Sequence, residues 1–317
     1  MKIRTSLKKF ASATFAFAFL ALTTSCNDDE STPIMPQQKT IATIVSENAD
    51  YSLLKAAVTK ANLGETLNGT GPFTVFAPNN QAFAASGISQ QTINSLSETA
   101  LSDILLYHTL AAKVMAADVP AGPNAEVTTV GGDKIYVTKD SRGVFVNGWK
   151  VTTADIAASN GVIHSIERVL MPPTQDIVEM AQANSNLSYL VAAVLRASEG
   201  STNVANILAT TNNLTVFAPT NQAFIDAGFP TIASIQNADP AALTSILTYH
   251  VIAARAFSSD LSNGQSLNTV NGGTLMVALG NQATVKGNGN STPSVITSVN
   301  MLATNGVVHL IDRVLLP

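Results

Sequence analysis

The stretch TVFAPNNQAF, Thr74 to Phe83, is written again as TVFAPTNQAF, Thr215 to Phe224, with Thr220 for Asn79 as the sole difference. Its chemistry predicts a strand that turns into a helix. Thr74, Val75 and Phe76 favour extended backbone, and Pro78 fixes φ and denies the sheet a donor, so the strand ends near Ala77. Asn79, or Thr220, then caps a helix by accepting bonds from otherwise orphaned N–H groups. Ala82 and Phe83, like Ala223 and Phe224, begin that helix's buried face. The phrase is a corner that every copy of a fold needs rather than a catalytic loop.

The rest of the chain repeats in the same order. DYSLLKAAVTKA from Asp50 pairs with LSYLVAAVLRA from Leu187, both with apolar residues at helical spacing. LSDILLYHTL from Leu101 pairs with LTSILTYHVI from Leu243, and NGVIHSIERVLMP from Asn160 with NGVVHLIDRVLLP from Asn305. A period near ~140 residues is too long for a solenoid unit, so each copy is a domain. The boundary falls at Pro172-Pro173, which no central strand or helix interior tolerates. This divides the repeats into residues 38–172 and 173–317. Within each copy helical patterns come first; short Val- and Ile-rich runs punctuated by Gly and Asn follow, as in KIYVT and GVFVNG. That order predicts an α+β domain with a mainly antiparallel sheet.

TVFAPNNQAF, the pair Tyr107-His108 and NGVIHSIERVL together resemble the signature of the fasciclin-like (FAS1) domain, and the second copy supplies TVFAPTNQAF, Tyr249-His250 and NGVVHLIDRVLLP. The resemblance covers roughly residues 38–317. It implies a compact wedge of β-strands packed with helices, two in tandem, and a role in adhesion to cells, matrix or glycans.

The N-terminus reads differently. Lys2, Arg4, Lys8 and Lys9 precede an apolar run from Phe10 to Leu22, too short to span a bilayer comfortably, which predicts an export signal over residues 1–25. The only cysteine, Cys26, follows at once in LTTSC and is trailed by Asn27, Asp28, Asp29 and Glu30. This resembles a bacterial lipoprotein signal of the Bacteroidetes surface-exported type, although Thr23 stands where an aliphatic residue is usual. The resemblance implies acylation of Cys26, anchorage in the outer membrane and surface display. Residues 26–37, acidic and proline-containing, suit a flexible tether. Without the signal the chain has 13 basic against 21 acidic residues, a net of −8, which removes the attraction that generic nucleic-acid binding depends on.

All four histidines, His108, His164, His250 and His309, lie in repeated motifs. Yet no HExxH, CxxC or GxSxG is present, and the acids that would complete a ligand set are not kept: Asp103 becomes Ser245 and Asp155 becomes Asn300. His108 shares a helix face with Leu101 and Ile104, and His309 a strand face with Val307 and Ile311. These patterns predict structural histidines, no metal, no cofactor and no enzymatic role. For binding, the candidates are Trp149, the only tryptophan, and, through the family resemblance, Tyr107 and Tyr249. The segment Gly287 to Pro293, which lengthens the second copy, reads as a surface hairpin able to carry specificity. The function expected is a surface adhesion or binding lipoprotein with an extracellular protein or glycan partner. The alternative is an accessory glycan-binding protein of a polysaccharide uptake system.

Overall fold

The computed structural model describes residues 38–317. In the first repeat, helices at Ile41–Glu47, Ser52–Lys60 and Gly64–Asn68 precede β1 (Phe73–Pro78). Helices at Asn80–Ala85, Gln90–Ser95 and Glu98–Tyr107 then lead to β2 (Thr109–Leu110). Five strands complete the repeat: β3 (Gly122–Thr128), β4 (Lys134–Asp140), β5 (Gly143–Val146), β6 (Trp149–Ala158) and β7 (Gly161–Ile166). The second repeat follows the same plan with β8 (Leu214–Pro219), β9 (Val251–Ile252), β10 (Ser266–Asn268), β11 (Thr274–Leu279), β12 (Ala283–Gly287), β13 (Ser294–Ala303) and β14 (Gly306–Ile311).

The repeated phrase forms the corner its chemistry dictates. Pro78 is the last residue of β1, and the Asn79 side chain accepts from the Ala82 N–H at 2.8 Å, opening the helix Asn80–Ala85. Thr220 does the same for Ala223. Thr74 is fully buried and its hydroxyl donates to the Ala112 carbonyl at 2.6 Å while accepting from Val114 N–H at 2.9 Å. Thr215 holds Ala254 and Ala256 in the same way. The corner therefore also fixes the loop that follows β2 or β9.

Each repeat contains one seven-stranded sheet, in the order β2-β1-β7-β6-β5-β4-β3 and β9-β8-β14-β13-β12-β11-β10. The sheet is mixed: five of its six pairings are antiparallel, as expected, and the one at its centre is parallel. There β1 runs parallel to β7 from Phe73↔Gly161 to Pro78↔Ile166, and β8 runs parallel to β14. The reason is the long excursion through helices and strands between the two partners, which frees them from the antiparallel sense that a tight hairpin imposes.

Asn160 and Asn305 tie the last strand of each repeat to its helices. Asn160 accepts from Ile41 N–H at 3.0 Å and donates to the carbonyls of Leu67 and Gly69. Asn305 accepts from Ile177 N–H at 3.0 Å and donates to Leu208. One buried amide thus satisfies the start of one helix and the end of another.

Each repeat has a helix-side core and a sheet-side core of its own. A further small cluster, Tyr136 with Phe257 and Val307, crosses from one repeat to the other. The Arg255 guanidinium lies 4.1 Å from the Tyr136 ring centre, opposite charge density meeting the ring face. Thr138 donates to Asp260 at 2.8 Å, Asn124 donates to the Arg255 carbonyl at 2.8 Å, and Arg142 donates to the Ser259 carbonyl. The repeats are docked on each other, not strung as independent beads.

Candidate functional site

The histidines come first, because their environment decides whether chemistry is available. His164 Nδ1 accepts from Asp155 N–H at 3.1 Å and Nε2 donates to the Val114 carbonyl at 2.9 Å. His309 repeats this with Asn300 and Ala256. His108 caps its helix: Nδ1 donates to the Ile104 carbonyl at 2.7 Å, and Nε2 accepts from Leu170 N–H at 2.9 Å. His250 does so with Ile246 and Leu315. Every ring is a neutral imidazole with one donor and one acceptor spent on backbone. Burial holds His108, His250 and His309 down at about 4. No ring nitrogen is left for a metal or a relayed proton. Among the described residues no group of three or more His, Cys, Asp or Glu side chains converges.

Asp155 and Asn300 explain why an acid could be exchanged for an amide. Each has a positive φ, 61°, and presents its backbone N–H to a histidine and its Oδ1 to a loop N–H, Ala116 or Ser258. The acceptor oxygen is common to both side chains, and the Asn300 amide additionally donates to the Ser258 hydroxyl at 2.9 Å and to the Gly148 carbonyl of the first repeat at 3.3 Å.

Tyr107 and Tyr249 were expected at a binding surface, and the structure corrects this. Both are fully buried. The Tyr107 hydroxyl donates to the Lys134 carbonyl at 3.0 Å and accepts from Asn147, while Tyr249 donates to the Thr274 carbonyl at 2.5 Å and accepts from Asn288 N–H. Burial also pushes the Tyr107 phenol above its ordinary range. These rings bolt the helix end to the strand β4 or β11.

The hairpin at Gly287 to Pro293 is exposed at Ser291 to Pro293, as expected of a surface turn, but part of it is structural. Asn290 donates to the Val314 carbonyl at 2.9 Å and accepts from Leu316 N–H at 2.9 Å. The added residues clasp the segment that ends β14's extension. Cys26 lies outside the described residues.

Trp149 is the residue the structure makes interesting. It begins β6 and is half-buried, packed on the sheet-side core of the first repeat. The Arg168 guanidinium lies over its ring at 5.0 Å. Both line a cleft of about 620 Å³ whose near wall is the connector from Arg168 to Gln175 and whose far wall is β13 from Thr297 to Leu302. That volume lies within the ~300–1,000 Å³ typical of small-molecule sites, which often sit between domains. The cleft is half polar and half apolar in character, with Met171 about half exposed at its edge (53%). Arg168 was missed at the sequence level because it belongs to a repeated motif, and its equivalent Arg313 does not line this cleft. The cleft exists only where two copies meet.

Comparison with known proteins accords with this architecture. The fasciclin domain profile matches residues 49–172 and 186–317. The chain is 30% identical over 256 residues to transforming growth factor-beta-induced protein ig-h3 of Sus scrofa, covering 79% of this chain and 35% of that protein. It is 27% identical over 262 residues to human periostin, 81% of this chain and 30% of that one. The chain thus spans about a third of the length of these relatives. A single repeat's length, 139 residues, is 43% identical to protein sll1483 of Synechocystis, covering 42% of this chain and 74% of that protein. A FAS1 domain pair from the insect cell adhesion molecule fasciclin I is similar at 20% identity and a TM-score of 0.42, over 84% of this chain and 96% of that one.

Proposed function

Because this chain belongs to the fasciclin domain family, we propose that it is a non-catalytic binding or adhesion protein, displayed by an N-terminal lipid anchor at Cys26 on the outer surface of a bacterial outer membrane. The observation that carries the binding part is the commitment of the motif side chains. All four histidines and both motif tyrosines are spent on internal hydrogen bonds, which leaves recognition rather than reaction to the surfaces around them. Display rests on the basic start, the apolar run and Cys26. The partner is an extracellular protein, matrix component or glycan.

Two measurements test this reading. Labelling with an alkyne fatty acid is expected to mark the wild-type chain and not Cys26→Ala; equal labelling removes the anchor. Whole cells displaying the protein are expected to bind immobilised matrix proteins or glycans more than cells lacking it, and equal binding removes the adhesion role. The accessory glycan-binding reading is favoured by one specific observation, the Trp149-Arg168 cleft between the repeats.

A further inference from the structure

The cleft between the repeats has an electrostatic character unlike the molecule around it. The chain as a whole is acidic, with 21 Asp and Glu against 17 Lys and Arg. Among the described residues Arg168 is nevertheless the only charged one lining the cleft. Its guanidinium makes no hydrogen bond or ion pair among the described residues, although Arg142, Arg196 and Arg255 all do. Its contact with the Trp149 face, 5.0 Å to the ring centre, favours this placement without consuming its N–H groups. A half-buried guanidinium held over an aromatic face and unpaired among the described residues, in a cleft to which those residues contribute no acid, is a donor site for a carboxylate or similar anion.

The remainder of the lining narrows the class. Gln175 and Ser298 contribute an amide and a hydroxyl with no side-chain hydrogen bond among the described residues, and Met171 and Met301 contribute flexible apolar surface. These are neutral hydrogen-bonding groups alternating with apolar contacts, matched to a ligand with hydroxyls and C–H faces. A single cation suits one negative charge per contacting unit and not a polyphosphate.

We propose that the cleft between the two repeats binds a saccharide bearing a carboxylate, a uronic-acid unit, with Arg168 as the carboxylate's partner, Trp149 as the positioning platform beneath it, and Gln175 and Ser298 as hydroxyl partners. This deepens the glycan-binding side of the proposed function and rests on it.

The test is calorimetric titration of the full chain with trigalacturonate and with the neutral galactose trimer. Trigalacturonate is expected to bind at least tenfold more tightly than the neutral sugar, and more weakly as salt rises. Arg168→Gln is expected to lose at least tenfold in affinity with an unchanged melting temperature, and Arg313→Gln, the equivalent without a cleft, to lose nothing. Should Arg168→Gln fail to fold, Arg168→Lys keeps the charge without the planar fork and is expected to weaken binding several-fold. Equal affinity for the two sugars, full affinity in both Arg168 variants, or equal affinity for a triglutamate peptide overturns the proposal. Absence of any saccharide binding while matrix binding by displaying cells persists removes this site and leaves the broader binding role standing.

Discussion

At the scale of single residues, the buried histidines make stability depend on pH in a direction that can be worked out. An imidazole ordinarily titrates near ~6.5, whereas burial holds His108, His250 and His309 down at about 4. Above ~6.5 neither folded nor unfolded chain carries these protons and the full stability is present. As pH falls from there toward about 4, the unfolded chain takes up protons that the folded rings refuse, so stability declines and then levels. The size is on the order of 3 kcal/mol per ring. Urea midpoints at pH 7.5 and pH 5 are expected to fall accordingly, and His108→Gln to flatten the slope; an unchanged slope in that variant contradicts the account. Replacing His309 by Ala strands the Asn300 N–H and the Ala256 carbonyl and is expected to cost ~1–3 kcal/mol in a denaturant titration. The sequence showed these rings to be structural through their apolar neighbours. It did not show the tyrosines to be buried, since Tyr107 and Tyr249 end a helix and are covered only by a strand that arrives about 25 residues later.

At the scale of elements, the phrase that opens both repeats was legible because its signals are local: a proline that stops a strand and a polar residue that caps a helix. The parallel centre of each sheet was not, because nothing in β1 or β7 alone names its partner. The closest hint is the Asn-Gly pair at the start of β7 and again of β14, where the Asn precedes the strand and the Gly opens it. A Cβ on Gly161 would collide with the Phe73 carbonyl of β1, and one on Gly306 with the Leu214 carbonyl of β8, so glycine is demanded by the approach of the neighbouring strand. Gly161→Ala is expected to destabilise the first repeat far more than the second. Asn160→Ala is expected to do likewise, by a few kcal/mol, since it leaves a buried N–H and two carbonyls without partners. Hydrogen exchange read repeat by repeat checks both; equal loss of protection in the two repeats refutes the assignment.

At the scale of the molecule, the docking of the repeats was invisible to a reading based on what they share, because it is built from what they do not. Counting from equivalent tyrosine contacts, Tyr136 corresponds to Met276, an exposed methionine (49%). Counting from the paired loop bonds, Phe257 corresponds to Met115. The aromatic pair occurs once, at the internal junction, with rings 5.9 Å apart. Calorimetry of the wild type is expected to show one coupled transition. Tyr136→Ala is expected to split it into two, since Phe257 and Arg255 lose the ring they cover; a single shifted transition refutes the coupling. The division at Pro172-Pro173 predicts that residues 38–172 and 173–317 each still fold alone, less stably than in the pair.

The parallel pairing at the centre of each sheet also sets an order in time. The strand β1 ends at Pro78, and its partner β7 begins only at Gly161. A chain emerging from a ribosome or an export channel from its N-terminus therefore completes nearly all of a repeat before the central ladder closes. Until then the buried face of β1 has only β2 beside it, and contacts so distant in sequence form slowly. The second repeat faces the same delay between Pro219 and Gly306. Each repeat must stay soluble and unlatched until its final strand arrives, and that interval is when a chaperone or a protease has most access to it.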